Sequence, residues 1–376
     1  MDKRPFFATV AKGIEEILAD ELRALGCEEV RPETGGVRFR GTLADCYRAN
    51  LWLRTASRIL MPLAEFDCPD EESLYAGVRS LAWREYLTPD MTLAVDCSLR
   101  SSNLTHARFV ALKAKDAIVD QLRERFGRRP NVDPSNPDLR INLHLFRNRC
   151  TLSLDTSGRS LHQRGYRVDR TEAPLRETLA AALIALSGWD GTCPLVDPMC
   201  GSGTIPIEAA LRAARRAPGL GGPGFGFQRW RDFRPELWQR LLDEAQETAL
   251  HELPAPIFGS DQDSRAVAIA RKNAARAGVE NFLTLLHRDI RDLSLPEGPG
   301  ILLFNPPYGA RLGEVEPLKA LYRQIGDAMK QHAKGYTAYL LAGNPQLAKF
   351  VGLKASRRIV LFNGPIECRL LKYELY

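Results

Sequence analysis

The 376-residue sequence is short of the markers that assign a protein at once. Its eight cysteines are scattered and none stands in a C-x2-C pair, which excludes zinc-ribbon and thioredoxin-type sites. Its six histidines have no ligand spacing, so no metal is expected. No window approaches the ~18 uncharged apolar residues that a membrane-spanning helix needs. The opening Met1-Asp2-Lys3-Arg4-Pro5 leads into globular sequence without a signal-peptide apolar core. With scattered thiols, that points to a reducing, cytoplasmic setting. A large charge of one sign is missing as well. The 52 Lys+Arg against 46 Asp+Glu leave +6, which permits a nucleic-acid partner without requiring one. What is present in quantity is apolar sequence, 44% of residues, which rules out disorder along the whole chain. Two or three domains are expected at this length.

Periodicity divides the chain. Residues 1–66 read β-α-β-β-α-β: a strand at Phe6 to Val10, a helix carrying Ile14, Ile17, Leu18, Leu22 and Leu25, two short strands about Gly35-Gly36, a helix from Leu43 to Leu53, and a strand from Arg58 to Phe66. That order is the ferredoxin-like arrangement. Residues 67–157 form a second unit: a helix over Ser73 to Glu85, a strand over Leu93 to Ser98, and a long helix over Thr105 to Phe126 with Phe109, Leu112, Val119 and Leu122 inward. Two strands meeting at Arg147-Asn148 close it. Residues 158–172 are a basic connector; Arg159, Arg164, Arg167, Arg170 and Arg176 lie in or beside it, as solvated linker or RNA-backbone contacts. From residue 173 to 376, helices alternate with short, fully apolar strands, the pattern of a doubly wound α/β sheet that closes on an antiparallel pair about Asn363-Gly364. Ala217 to Arg234 interrupts it, rich in glycine and then in Phe227, Trp230 and Phe233. These rings could contact RNA, cover a cofactor or pack in the core.

Chemistry gathers where the strands of this last region end. Asp197-Pro198-Met199-Cys200-Gly201-Ser202-Gly203-Thr204 joins a strand to a helix. It lacks the lysine of a Walker loop, and Pro206 stands where a dinucleotide fingerprint needs a third glycine or alanine. A carboxylate at the strand tip repels phosphate and can hold an ammonium or hydroxyl group. Asp261 ends the next strand, placed to accept from both hydroxyls of a ribose; Asp263 is explained as a helix N-cap. Asp289-Ile290 follows the third, placed to accept from an adenine amino group and cover its ring. Leu303-Phe304-Asn305-Pro306-Pro307-Tyr308-Gly309 follows the fourth. The two prolines stiffen the turn, the Asn305 side-chain oxygen and Pro306 carbonyl become directed acceptors, and Tyr308 offers a ring on which a flat base can stack. Two acceptors facing an –NH2 on a planar ring would localise its lone pair for attack.

This constellation resembles S-adenosylmethionine-dependent methyltransferases that act on exocyclic amino groups, a class in which Asn305-Pro306-Pro307-Tyr308 is shared by DNA adenine-N6, protein glutamine-N5 and RNA guanine-N2 enzymes. Asp197 to Ala210, the preceding Ala173 to Leu183, the N-terminal Thr9 to Leu18 and Gly165-Tyr166-Arg167 resemble THUMP-containing RNA guanine-N2 methyltransferases, in particular the bacterial large-subunit ribosomal RNA methyltransferase L group. Met199 departs from it, where an aromatic is expected. The resemblance implies a Rossmann-like methyltransferase sheet behind a ferredoxin-like plus THUMP module that grips structured RNA. It implies S-adenosylmethionine as cofactor. Asp197, Gly201 and Gly203 would hold its methionine end, Asp261 the ribose, and Asp289 with Ile290 the adenine; Pro198, Thr204, Gln262 and Asn305 would also bind the cofactor. Asn305, Pro306, Pro307 and Tyr308 would be catalytic. The implied reaction is methylation of a guanosine N2 amino group in structured RNA, most readily 23S ribosomal RNA. A transfer-RNA guanine-N2 enzyme and a DNA adenine-N6 enzyme stay open as alternatives. A fragment beginning near Val168 is expected to keep the cofactor site and to lose most affinity for RNA.

Overall fold

The computed structural model describes residues 2–167, 175–309 and 315–376. Its first elements are β1 (Arg4–Thr9), α1 (Glu15–Ala24), β2 (Glu28–Glu33), β3 (Gly36–Gly41), α2 (Leu43–Trp52) and β4 (Arg58–Asp67). Helix α1 buries Leu18, Ala19 and Leu22 on one stripe. Helix α2 starts at a reciprocal cap in which Thr42 and Asp45 satisfy each other's backbone N–H. The strands lie in the order β2-β3-β1-β4, all antiparallel, as a ferredoxin-like unit requires.

The next elements are α3 (Glu71–Arg79), β5 (Thr92–Arg100), α4 (Ala107–Phe126), β6 (Asn131–Val132), β7 (Leu139–Phe146) and β8 (Arg149–Asp155). They do not make a separate sheet. Strand β8 pairs with β4 from Leu60↔Asp155 to Asp67↔Arg149, and one eight-stranded sheet runs β2-β3-β1-β4-β8-β7-β5-β6. The helix expected over Ser73 to Glu85 stops at Arg79, because side chains take the carbonyls that would continue it. Trp83 Nε1 donates to Val78 O, and Gln121 Nε2 donates to the carbonyls of Arg79 and Leu81. Helix α4 also differs from expectation. Val119 and Leu122 are buried, but Phe109 and Leu112 are 39% and 49% exposed. The inward stripe is Val110, Ala114, Ala117, Ile118 and Leu122; its two alanines let α3, packed against α4, come close.

The last region holds α5 (Glu177–Leu186), β9 (Leu195–Asp197), α6 (Thr204–Ala213), α7 (Pro235–Glu247), β10 (Ile257–Asp261), α8 (Ser264–Arg276), β11 (Leu283–His287), β12 (Ile301–Phe304), α9 (Val315–His332), β13 (Thr337–Ala342), α10 (Pro345–Ala348), β14 (Arg357–Asn363) and β15 (Ile366–Glu374). The sheet order is β11-β10-β9-β12-β13-β15-β14. The first five strands are parallel and β15 and β14 antiparallel, the expected doubly wound sheet with a hairpin at its edge. Among the described residues no helix is long and apolar enough to cross a membrane.

The Gly/aromatic stretch joins the two sheets. Phe227 stacks on Tyr47 of α2 with ring centroids 4.1 Å apart, and Trp238 of α7 meets both rings edge-on. Backbone bonds run from Gly226 N to Ser157 O and from Phe227 N to Thr156 O. A Cβ on Gly226 would stand 2.8 Å from Asp155 O, so only glycine permits that approach. Beside it lies a buried ionic network. Arg54 donates to the carbonyls of Leu211 and Arg216, Arg164 lies 3.6 Å from Glu208, and Tyr166 Oη donates to the same Glu208. Burial pushes the Arg54 guanidinium down to about 10, still charged at neutral pH.

Candidate active site

Ligands of open α/β sheets gather beyond the carboxyl ends of the strands, where the strand order reverses. In this sheet that point lies between β9 and β12, with β10 flanking β9 on the other side. Register sets the heights. Asp197 is level with Gly259 of β10, and Val196 with Leu302 of β12. Asp261 and Asn305 therefore each stand two residues beyond Asp197, one on either side of it.

Asp197 is 1% exposed, and its Oδ1 accepts from Met199 N at 3.1 Å. Burial raises its pKa well above the ordinary carboxylate value, and the neighbouring Asp261 adds to the rise. Asp261 Oδ2 accepts from Gly201 N and Oδ1 from Asp263 N, both at 2.9 Å. Among the described residues no cation pairs with either carboxylate. Two adjacent acids without a counter-charge disfavour a phosphate and favour a ligand with a cationic end. The two loop glycines divide their work. Gly203 (φ +83°) packs against α8, where a Cβ would lie 2.9 Å from Ala270 Cβ. At Gly201 nothing lies within 4 Å of where a Cβ would be, so the loop opens there. Pro198 and Thr204 are buried beside them.

Within the described part of the connector, expected as linker or RNA contact, Arg167 bonds to this loop. Arg167 donates from Nε to Glu177 Oε1 (3.0 Å), from Nη1 to Ser202 Oγ (3.3 Å), and from Nη2 to Thr204 Oγ1 (3.2 Å) and Leu175 O (3.1 Å). Arg164 is buried in the ionic network already described. Both turn inward because buried carboxylates demand cationic partners. Arg159 is half-buried, Arg176 is exposed, and Arg170 lies outside the described residues.

At the next strand ends, Gln262 is exposed, and its carbonyl accepts from His287 Nε2 at 2.9 Å. Asp289 is held by Arg291, with Nε to Oδ1 at 3.0 Å and Nη2 to Oδ2 at 2.9 Å. That guanidinium lowers the Asp289 pKa. Its side chain is 65% exposed, so it can swing aside for a competing donor. Ile290 is buried beneath.

Across the switch point, Phe304 is fully buried and Asn305 emerges from β12. The Tyr308 hydroxyl donates to Asn305 Oδ1. Burial raises the Tyr308 pKa, which keeps the phenol a donor. One lone pair of Oδ1 stays available for a further donor. The Tyr308 ring packs against Gly343, and Tyr322 Oη donates to Pro307 O at 3.2 Å, so the turn is braced from two sides. Pro306 is buried. Tyr308 thus positions Asn305, a role that spacing did not disclose. Arg167 and His287 are the other residues of the site that sequence reasoning missed. Gly165-Tyr166-Arg167 signalled the first as a motif without its direction; no sequence signal marked His287. Among the described residues no group of three or more His, Cys, Asp or Glu could hold a metal ion.

An acidic loop opposite an Asn-Pro-Pro-Tyr turn across the switch point of a doubly wound sheet is the arrangement expected of a methyltransferase-type domain. Residues 164–372 match the family described as RMKL-like methyltransferase domain, residues 5–60 the RlmL ferredoxin-like domain, and residues 68–155 the THUMP domain. The chain belongs to this RMKL-like methyltransferase-domain family. It is 49% identical over 381 residues to ribosomal RNA large subunit methyltransferase K/L of Syntrophotalea carbinolica, covering 98% of this chain and 53% of that one. The chain thus spans about half the length of that relative. It is 46% identical to the candidate RNA methyltransferase slr0064 of Synechocystis, covering 99% of this chain and 97% of that one. Among solved structures, SMU.472 in complex with SAH superposes with a TM-score of 0.90 at 34% identity, covering 100% of this chain and 99% of that one.

Proposed function

We propose that this protein transfers the methyl group of S-adenosylmethionine to the exocyclic N2 amino group of a guanosine in structured RNA, large-subunit ribosomal RNA foremost, in the reducing cytoplasm. The observation that carries the reading is the placement of Asp197 and Asn305 at adjacent strand ends on either side of the switch point. The THUMP match and the names of the K/L relatives support RNA as the substrate. The uncompensated Asp197 and Asp261 carboxylates fit a cofactor that carries an ammonium and a sulfonium. Asp197 with the loop of Pro198, Gly201, Gly203 and Thr204 would hold the methionine end, Asp261 and Gln262 the ribose, and Asp289 and Ile290 the adenine.

When bound, the cofactor supplies a methyl group already activated on sulfur. The chain then has to align and desolvate the acceptor. Asn305 Oδ1, fixed by Tyr308, and the Pro306 carbonyl would accept two hydrogen bonds from the target amino group and direct its lone pair at the methyl. Pro307 holds the turn rigid. The test is digestion of reacted RNA and identification of the product nucleoside. N2-methylguanosine is expected; N6-methyladenosine would overturn the substrate reading and leave the fold standing.

A further inference from the structure

We propose that a groove between α10 and the β14–β15 hairpin holds phosphates of the RNA strand beside the target nucleotide, an inference that rests on the RNA methyltransferase reading above. The groove encloses about 370 Å³. Its cationic rim is Lys349, Arg358 and Arg369, its floor is Leu371 and Tyr373, and among the described residues no carboxylate lines it. Register explains the convergence. Arg358 pairs with Leu371, and Arg369 with Ala342. Strand alternation then puts Arg358, Arg369, Leu371 and Tyr373 on one face of the sheet, and Lys349, just past α10, faces them across the groove.

These cations are under-used by the fold. Among the described residues Arg358 has no ion-pair partner, Lys349 meets only Gln346 Oε1 at 3.2 Å, and Arg369 reaches Glu367 at 3.9 Å. Another cleft, about 490 Å³ between β1, β4 and the aromatic stretch, is the opposite case. It contains Arg4 and Arg231 but also Glu85 and Asp232. Arg4 lies 3.8 Å from Asp232, and Arg231 donates to Arg84 O. Acids in its own lining offset its arginines, whereas the charged residues that line the smaller groove are all cations among the described residues.

Position favours an RNA backbone over a free anion. Strand β13 contributes Ala342 to the groove, and the next two residues touch the proposed catalytic turn: Gly343 packs on the Tyr308 ring and Asn344 Nδ2 donates to Tyr308 O at 3.5 Å. Strand β15 lies two strand spacings, about 10 Å, from β12, which carries Asn305. Three cations spread over separate elements suit successive phosphates, and the apolar floor suits the sugars between them.

The test uses the full chain, an in vitro transcript of large-subunit ribosomal RNA, and the variant Lys349→Gln/Arg358→Gln/Arg369→Gln. RNA affinity is measured across a salt series, S-adenosylmethionine affinity by calorimetry. The expected result is unchanged cofactor binding with a salt dependence shallower by about 1 per cation removed, ~3 in all. Arg358→Gln alone, at an exposed position that the fold does not use, should lower the slope by about 1, and a charge-keeping Arg358→Lys should restore it. If the wild type methylates the transcript and the variants keep its slope and affinity, the groove is not the phosphate track, and the functional reading stands. If the wild type neither binds nor methylates RNA, both fall together.

Discussion

The strands of the eight-stranded sheet and the strand tips of the seven-stranded one treat carboxylates in opposite ways. On the eight-stranded sheet the acids are matched across strands: Glu33 and Glu65 with Arg38, Glu65 and Asp67 with Arg149, Asp96 with Arg140. On the seven-stranded sheet the tips of β9 and β10 carry Asp197 and Asp261, with no cation at either among the described residues. Asp289 is intermediate, paired only with the exposed Arg291. A paired surface acid contributes little to stability and recruits nothing. An unpaired acid at a strand tip raises the free energy of the empty site, and a cationic ligand can recover it. Charge is therefore neutralised along the strands of the N-terminal module and left open at the strand tips where the domain is proposed to bind its cofactor.

The largest effects should come from breaking the junction that keeps the two sheets together. Phe227→Ala removes a fully buried ring from the cluster with Tyr47, Phe225 and Trp238, and should cost about 3–5 kcal/mol in denaturant unfolding. A loss below 1 kcal/mol would mean that the sheets are independent. The same cluster changes the outlook for a fragment starting at Val168. It would expose Phe227 and Trp238, strand the buried Glu208 without Arg164, and lack the Arg167 brace on Ser202 and Thr204. Such a fragment should aggregate instead of retaining the cofactor site. Arg167→Met in the full chain leaves Glu177, 4% exposed, without its cation. It should destabilise by ~3 kcal/mol, while Arg164→Met tests the neighbouring pair in the same melt.

Asn305→Ala should reduce turnover about a hundredfold or more, the scale for a removed transition-state hydrogen-bonding group, with cofactor affinity nearly intact. Single-turnover assays showing most activity retained would dismiss the lone-pair argument. Tyr308→Phe refines it, since it keeps the ring and deletes the hydroxyl that holds Asn305 Oδ1. Asp261→Ala should weaken S-adenosylmethionine binding by about 1.5–3 kcal/mol, the range for hydrogen bonds to a charged group. Unchanged affinity by calorimetry would take Asp261 out of the site, and equal affinity for NAD would undo the cofactor assignment.

Most strand ends were legible because short apolar runs of three to six residues, alternating with amphipathic helices, fit buried parallel strands and little else. The acidic tips and the Asn305 turn could be read because they directly follow such runs. Long-range pairing could not. Nothing local to Arg58–Asp67 or Arg149–Asp155 says that β4 and β8 are neighbours, and so two units looked separate. The face of α4 was misjudged because Phe109 and Leu112 outweigh Val110 and Ala114 in hydrophobicity, while packing against α3 selects the smaller residues. Arg167 was illegible in its direction: Glu177 is ten positions away and Ser202 thirty-five, and only the fold shows that they share one guanidinium.

The sharpest form of the comparison is its smallest expected effect. Glu65 on β4 lies 3.6 Å from Arg38 and 3.5 Å from Arg149, and its side chain is 33% exposed. With two arginines beside it, it looks more important than Asp261. Yet Arg38 also holds Glu33 at 2.7 Å and Arg149 also reaches Asp67 at 3.6 Å, so each arginine keeps a partner when Glu65 is neutralised. Glu65→Gln should therefore shift stability by no more than about 0.5–1 kcal/mol, the range for exposed pairs, and leave cofactor affinity untouched. The loss should shrink further at high salt, since exposed charges are screened. A loss above ~2 kcal/mol would show that the surface arginines act as a network, beyond what isolated exposed pairs contribute. The contrast between matched acids on one sheet and open acids on the other would then be one of energy shared among many groups, not of pairing against its absence.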